Sequence, residues 1–552
     1  MQISDYLNIA SALDETAAKT PDKIAIYYPQ NRDSNGEVNY ITYTFSELLK
    51  QSNIIASGLE SYGIKKGTKA VLMVKPSLEF FALTFALFKA GIVPVMIDPG
   101  MGTKNLKTCI AEAEPDAFIG IPKAHLARVL FGWGKKTIKK NVTVGKKLFW
   151  SGVTLEYIKG VGKAEYQNAQ NHKEDMAAIL FTSGSTGVPK GVIYNQDNFS
   201  SQIAMLKELY KISPGEIDLP TFPLFALFDP ALGMSTVIPE MDFTAPAKAD
   251  PEKLIYAIKR FGITNMFGSP ALLNTLSRYG EKNNIKLPSM KRIISAGAPV
   301  SATILERTTK MLTDEARIFT PYGATEALPI CSIDNQQILN ETRELTDIGK
   351  GVCVGLPVKG IKVEVIKITD EPIENWDEDL KVKDGEIGEI VVKGDNVTLA
   401  YYNREKSNKI AKIKDVDGTI KHRMGDLGYF DDEGKLWFCG RKTHRVITAD
   451  ETLFTITCES IFNTHEDVFR SALVGVSLKG KTVPVICIEL EKNSSNYEIN
   501  RIQKELLQLA QEYEHTKNIK KVLFHEAFPV DIRHNAKIFR EKLAIWAEKN
   551  LQ

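Results

Sequence analysis

Two hydrophobic periods alternate between residues 40 and 330 of this chain. Short β-branched runs, Lys69 to Val74, Ile92 to Ile97, Ala177 to Phe181 and Lys291 to Ser295, are separated by helical patterns. That alternation predicts α/β layers with parallel strands. The most apolar stretch, Phe80 to Ile97, approaches the ~20 residues a membrane-spanning helix requires. Lys89, Gly91 and Pro94 interrupt it. It reads as a buried helix, Leu78 to Ala90, then a buried strand that ends at Asp98-Pro99-Gly100.

From about Gly351 to Tyr429 the pattern changes to strands without long helices, as in Lys362 to Ile368 and Gly388 to Lys393. Beyond the turn Asp431-Asp432-Glu433-Gly434 and the run Lys435 to Cys439, a smaller unit is expected, holding a strand Val483 to Leu490, a helix Asn500 to Tyr513 and a terminal helix. The expected organisation is an N-terminal core over residues 1–440, with a β-rich subdomain at about 351–430, and a C-terminal unit over 441–552. Several domains are in keeping with 552 residues, because one core seldom grows past roughly 300.

Charge narrows the function little: a net +2 gives no global attraction to nucleic acid, a membrane surface or an acidic substrate. The Lys-rich segment Lys135 to Lys147 reads first as a solvated face, with guidance of an anionic partner as the alternative. Six scattered cysteines form neither a zinc motif nor a disulfide framework. The first residues lack the basic-then-apolar order of a signal peptide, so a cytoplasmic location is expected.

The strongest chemical signal is Phe181-Thr-Ser-Gly-Ser-Thr-Gly-Val-Pro-Lys-Gly191, directly after an apolar strand. Gly184 and Gly187 let backbone N–H groups close on phosphate oxygens, Thr182, Ser183, Ser185 and Thr186 add hydroxyl donors, and Lys190 adds charge. A Walker loop has Ser or Thr after its lysine, whereas Gly191 follows here. Further along, Tyr322-Gly323-Ala324-Thr325-Glu326 offers a ring for a purine, a hydroxyl for phosphate and a carboxylate for Mg²⁺. Gly425-Asp426-Leu427 offers a carboxylate for ribose hydroxyls, and Gly297-Ala298-Pro299 and Gly440-Arg441 complete the series.

Together these motifs resemble the adenylate-forming superfamily of acyl- and aryl-CoA ligases, luciferases and peptide-synthetase adenylation domains. Tyr43-Thr44-Phe45-Ser46-Glu47-Leu48, Lys89-Ala90-Gly91 through Asp98-Pro99 and Gly385-Glu-Ile-Gly-Glu389 extend the likeness over nearly the whole chain. The resemblance implies a large N-terminal domain of two α/β layers plus a β-barrel, hinged to a small α+β C-terminal domain. It further implies that Tyr322 stacks on adenine, Thr325 touches the α-phosphate, Glu326 binds Mg²⁺, Asp426 and Arg441 hold the ribose, and Lys537 is the mobile catalytic lysine; Lys190 of the phosphate loop is the other lysine among the catalytic candidates. ATP and Mg²⁺ are the implied cofactors.

Four departures refine this. Ala226 stands where many acyl-CoA ligases have histidine, Thr443 occupies the hinge, Asp450 replaces a glycine beside the pantetheine tunnel, and the lysine motif is stretched to Phe528 through Lys542. Phe222 to Gly233, Gly440-Arg-Lys-Thr-His-Arg445 and Val530 to Lys537 resemble the β-lactone synthetases of bacterial long-chain olefin biosynthesis. That family adenylates a fatty β-hydroxy acid, whose own hydroxyl then closes a four-membered ring and expels AMP. The resemblance also implies partner enzymes of the olefin pathway. Phe222, Phe225, Leu227, Phe228 and Met234 are candidates for an alkyl pocket, with ordinary core packing as the alternative. Asp229 keeps amino-acid activation open as a third reading, behind lactone formation and CoA ligation; a non-catalytic scaffold stands last.

Overall fold

The computed structural model describes residues 7–182, 188–491, 498–530 and 537–551. Its first sheet orders seven strands as Val153–Thr154, Lys140–Thr143, Ala117–Gly120, Lys69–Met73, Val93–Met96, Met176–Phe181 and Gly191–Asn195. All pairs are parallel except the last, so the two strands flanking the phosphate motif form a hairpin. The apolar stretch becomes the helix Leu78–Lys89, almost wholly buried, with Lys89 inside the protein and paired to Asp14. Among the described residues no helix is long and apolar enough to cross a membrane.

The second sheet runs from Val38–Thr44 through the parallel strands Ile217–Pro220, Asn265–Phe267, Arg292–Ile294 and Arg317–Ala324. The hairpin partner Ala327–Asp334 then pairs with Val352–Pro357, and the β-rich subdomain grows from that edge by antiparallel strands. The motif around Thr44 has a structural explanation. Thr44 caps the helix Phe45–Tyr62, its side chain accepting from the Glu47 N–H while the Glu47 carboxylate accepts from the Thr44 N–H.

One short segment knits the two sheets together. Ala327 bridges to Val397 on one side and Val192 to Tyr401 on the other, and Tyr402 N–H donates to Gly191 at 2.7 Å. The C-terminal part has its own sheet, Val468–Leu478, Lys481–Leu490 and Lys521–Phe524, with helices Ile499–Gln511 and Arg540–Leu551 covering separate apolar clusters. A third helix, Thr455–Phe462, packs on the strand Leu436–Arg441 of the larger part.

That contact depends on Gly440, whose φ of +125° suits glycine and whose added Cβ would stand 2.3 Å from Thr455 Oγ1. Gly440→Ala is expected to cost about 1–3 kcal/mol in urea unfolding. The double variant Gly440→Ala/Thr455→Ala recovers part of that loss; no recovery would mean the strain is purely backbone.

Candidate active site

The motif Tyr322 to Glu326 ends one strand and turns into the next. Ala324 pairs with Ala327, leaving Thr325 and Glu326 as the two turn residues. Both line a cavity of about 1670 Å³. Gly323 permits the tight approach, because a Cβ there would lie 2.6 Å from the Ala327 carbonyl oxygen. The turn is held from outside: Tyr194 hydroxyl donates to the Thr325 carbonyl at 2.6 Å, and Thr398 donates to the Glu326 carbonyl from its N–H at 2.9 Å and its hydroxyl at 3.0 Å.

Around the Glu326 carboxylate the structure gathers Lys190 together with three residues that no sequence motif singled out, Tyr401, Lys412 and His422. Tyr401 hydroxyl donates to Oε1 at 2.7 Å. Lys190 Nζ lies 4.8 Å from the centre of the Tyr401 ring and Lys412 Nζ 5.7 Å from it. Lys412 also donates to the Thr398 carbonyl. Burial pushes the Lys412 ammonium down to about 7, opposed by Glu326. Burial lowers Lys190 as well, again opposed by Glu326. His422, fully buried beside them, is held well below the usual histidine range by burial and then by Lys412. The one sequence signal was the Tyr401-Tyr402 pair in a polar stretch.

A second polar corner forms where Asp426 and Arg441 face each other across antiparallel strands. Arg441 Nε is 3.1 Å from Asp426 Oδ1, and Tyr322 hydroxyl donates to Oδ2 at 2.7 Å. Burial raises the Asp426 carboxyl, and Arg441, then Tyr322, work against it. The Tyr322 ring packs beside Phe438, with centres 6.0 Å apart. Arg441, Thr443 and Lys537 line the same cavity as Thr325 and Glu326.

The phosphate motif sits at the hairpin neck. Thr182 N–H donates to the Lys190 carbonyl at 3.0 Å, and Lys190 N–H to Thr182 Oγ1 at 3.4 Å. Thr182 and Lys190 line the cavity, whereas Ser183, Gly184, Ser185, Thr186 and Gly187 lie outside the described residues. Gly297 is part of the lining; Ala298 and Pro299 are not.

The apolar wall includes Phe222, Phe225, Leu227 and Phe228, with Phe225 stacked on Phe267 at 4.1 Å. Met234 does not join them. The chain reverses at Gly233, φ +73°, and carries Met234 into a buried cluster with Tyr210, Ile212 and Leu232, against which Phe228 packs from the cavity side. Asp229 is also turned away from this cavity: it is buried, accepts from Thr236 Oγ1 at 2.7 Å and is held well above the ordinary carboxylate range by burial and the neighbouring Asp218. An anchor for a substrate amine is therefore not presented there.

On either side of the exposed Thr443, Lys442 and, two residues beyond the threonine, Arg445 are fastened to the larger part. Lys442 Nζ reaches Glu389 at 2.9 Å and the Thr369 carbonyl at 2.7 Å, and Arg445 reaches Asp370 at 2.6 Å. The Thr448–Glu451 turn closes on itself through Thr448 Oγ1 and stands outside the cavity lining.

Residues 13–402 match the AMP-binding enzyme family. The chain is 49% identical to the olefin β-lactone synthetase of Xanthomonas campestris pv. campestris over 552 residues, 99% of this chain and 98% of that one. It is 48% identical to the olefin β-lactone synthetase of Stenotrophomonas maltophilia, covering 99% of both. Among solved structures, the Bacillus subtilis O-succinylbenzoate coenzyme A synthetase in complex with ATP and magnesium ion aligns with a TM-score of 0.74 at 22% identity, over 96% of this chain and 98% of that one.

The buried lysine gives a test of the electrostatics. Folded Lys412 is neutral above about 7, while the unfolded lysine keeps its proton to about 10.5. Between those values the unfolded chain binds more protons, so stability rises with pH. Lys412→Met removes that slope, which is at most ~1.4 kcal/mol per pH unit. Melting temperatures from pH 7 to 9.5 should rise less in the variant; an unchanged slope would refute the buried neutral lysine.

Proposed function

We propose, because this chain belongs to the AMP-binding enzyme family, that it activates a long-chain β-hydroxy acid with ATP and closes it to a β-lactone. The observation that carries this reading is one continuous cavity, polar at Lys190, Thr325, Glu326, Arg441 and Lys537 and apolar at Phe222, Phe225, Leu227 and Phe228. The near-half identity to olefin β-lactone synthetases supports it from end to end.

In the first step a carboxylate oxygen attacks the α-phosphorus of ATP, and the bond to the bridging oxygen breaks as pyrophosphate leaves. Two anions must meet, so the site needs positive charge where phosphoryl oxygens gain it. Lys537 and Lys190 are the proposed sources, with Thr325 as a donor. In the second step the β-hydroxyl oxygen attacks the acyl carbon, the bond to AMP breaks and the hydroxyl proton passes to a base. Asp426 and Arg441 are the proposed ribose ligands, with Tyr322 against the adenine.

The donor set fits magnesium. Among the described residues no three His, Cys, Asp or Glu side chains converge, and Mg²⁺ is commonly held by one or two carboxylates plus substrate phosphates. Glu326 would hold it, and the ion would neutralise phosphate charge. The C-terminal unit, residues 441–552, is proposed to pivot at Thr443 between the two steps. Other enzymes of olefin formation are the proposed partners, supplying the acid and consuming the lactone. Six unpaired, buried cysteines support a reducing, cytoplasmic setting.

Lys537→Ala and Glu326→Ala should each lower isotope exchange between pyrophosphate and ATP by on the order of a hundredfold or more, with far-ultraviolet circular dichroism unchanged. Near-normal exchange in the Lys537 variant removes it from the adenylating step.

Thr443→Pro fixes φ at about −65° and should slow one step while sparing the other. Single-turnover measurements of pyrophosphate and AMP release separate them, and equal effects on both argue against a pivot at this position.

Added CoA should neither speed AMP release nor yield a thioester, because intramolecular attack already has a proximity advantage of up to ~7–11 kcal/mol before ring strain. A 3-deoxy acid, lacking the nucleophile, should stop at the adenylate. A CoA-dependent thioester product on either acid would replace lactone formation with CoA ligation.

A further inference from the structure

The helix Pro122–Phe131 works on two adjoining faces. Lys123, Ala124 and Ala127 line the cavity. The neighbouring face shows Leu126, Val129 and Leu130 to solvent, Leu130 at 70% exposure, and Phe131 follows at 45%. Apolar residues at spacings of three and four on a solvent-facing helix are a surface without its complement.

A second segment adds to that surface. Trp150 is buried and stacks on His125 of the helix, rings 5.3 Å apart and 8° from parallel. It carries Phe149 edge-on beside it at 5.4 Å. Phe149 is 72% exposed and Leu148 50%. Two large apolar side chains are thus held out next to the helix by a packed core contact.

The charge around them has one sign. Between Ala117 and Leu155 the chain carries seven lysines and one arginine and no aspartate or glutamate. Lys135, Lys136, Lys139 and Lys146 are exposed, and none has an ion-pair partner among the described residues. An apolar patch rimmed by lysine whose stems can lie along it is the pattern of a surface resting on anionic lipid headgroups. Protein partners are the weaker fit, since their interfaces are depleted of lysine.

We propose that this face, the Pro122–Phe131 helix with the Leu148–Phe149 tip, docks on an anionic lipid bilayer. The protein lies on the membrane surface rather than across it. The same helix then stands between the lipid and the apolar cavity, which suits a substrate class that partitions into bilayers.

The test needs no substrate, so its failure is distinct from failure of the lactone reading. The full chain is sedimented with sucrose-loaded vesicles of phosphatidylcholine containing about a third phosphatidylglycerol, and with phosphatidylcholine alone. Binding is expected to the anionic vesicles and to fall about tenfold or more with Leu130→Asp/Phe149→Asp, and likewise with Lys135→Glu/Lys136→Glu/Lys146→Glu. Pyrophosphate exchange with a short, water-soluble acid should be unchanged in both variants, since none of these residues touches the cavity. Wild-type protein that stays off anionic vesicles, or binding that survives both sets of substitutions, overturns the proposal. Self-association that Phe149→Asp abolishes, without vesicle binding, assigns the face to a second copy of the chain instead.

Discussion

Glu326 is the charge on which the polar end of the cavity depends. Two lysines, Lys190 and Lys412, sit within 6 Å of one tyrosine ring in a buried setting, and removing an ammonium from water strongly disfavours its charged form. For both, the Glu326 carboxylate is the leading opposing influence. The turn that carries it is correspondingly over-determined, with Tyr194, Thr398 and Tyr401 each bonded to Thr325 or Glu326. A two-residue hairpin tip left to itself would move; four donors on three residues of two other segments give it one position.

The arrangement also explains why the two sheets must be sewn together. Lys190 directly precedes the strand Gly191–Asn195 of the first sheet, whereas the Thr325–Glu326 turn, Asp426 and Arg441 belong to the second. Their distance is set by the strap around Val397 to Tyr402, which bridges to a strand of each. Tyr401 therefore has two consequences from one position: its backbone joins the sheets and its hydroxyl orients the carboxylate. A substitution that kept the backbone and removed the hydroxyl would separate those roles.

Much of this was legible in the sequence because it is local. Strand runs such as Gly388–Lys393 and the helix Leu78–Lys89 follow directly from apolar period and length, and the glycine- and hydroxyl-rich loop announces phosphate by composition. What was not legible depends on distant partners. Lys412 and His422 are unremarkable in a strand-rich stretch, and their burial beside Glu326 arises only when residues some 90 positions apart meet. Asp229 invited an amine-binding reading that its pairing with Thr236 and Asp218 removes. Met234 follows a reversal at Gly233 that puts it in the buried cluster behind Phe228 rather than on the cavity wall.

Net charge hid a different feature by averaging. A total of +2 over 552 residues is compatible with a 39-residue stretch, 117–155, that holds eight cations and no carboxylate, so a neutral total says nothing about where charge collects. The energetics of a fatty substrate give that local charge its significance. Each methylene buried from water is worth about 0.8 kcal/mol, so a long-chain acid is held strongly by a bilayer and equally by an apolar cavity. Transfer directly between the two exchanges one apolar environment for another, whereas transfer through water must repay the whole burial energy. Docked on lipid as proposed, the helix Pro122–Phe131 would put the cavity wall against the bilayer and spare a fatty acid the aqueous step, without any tightening of the site itself.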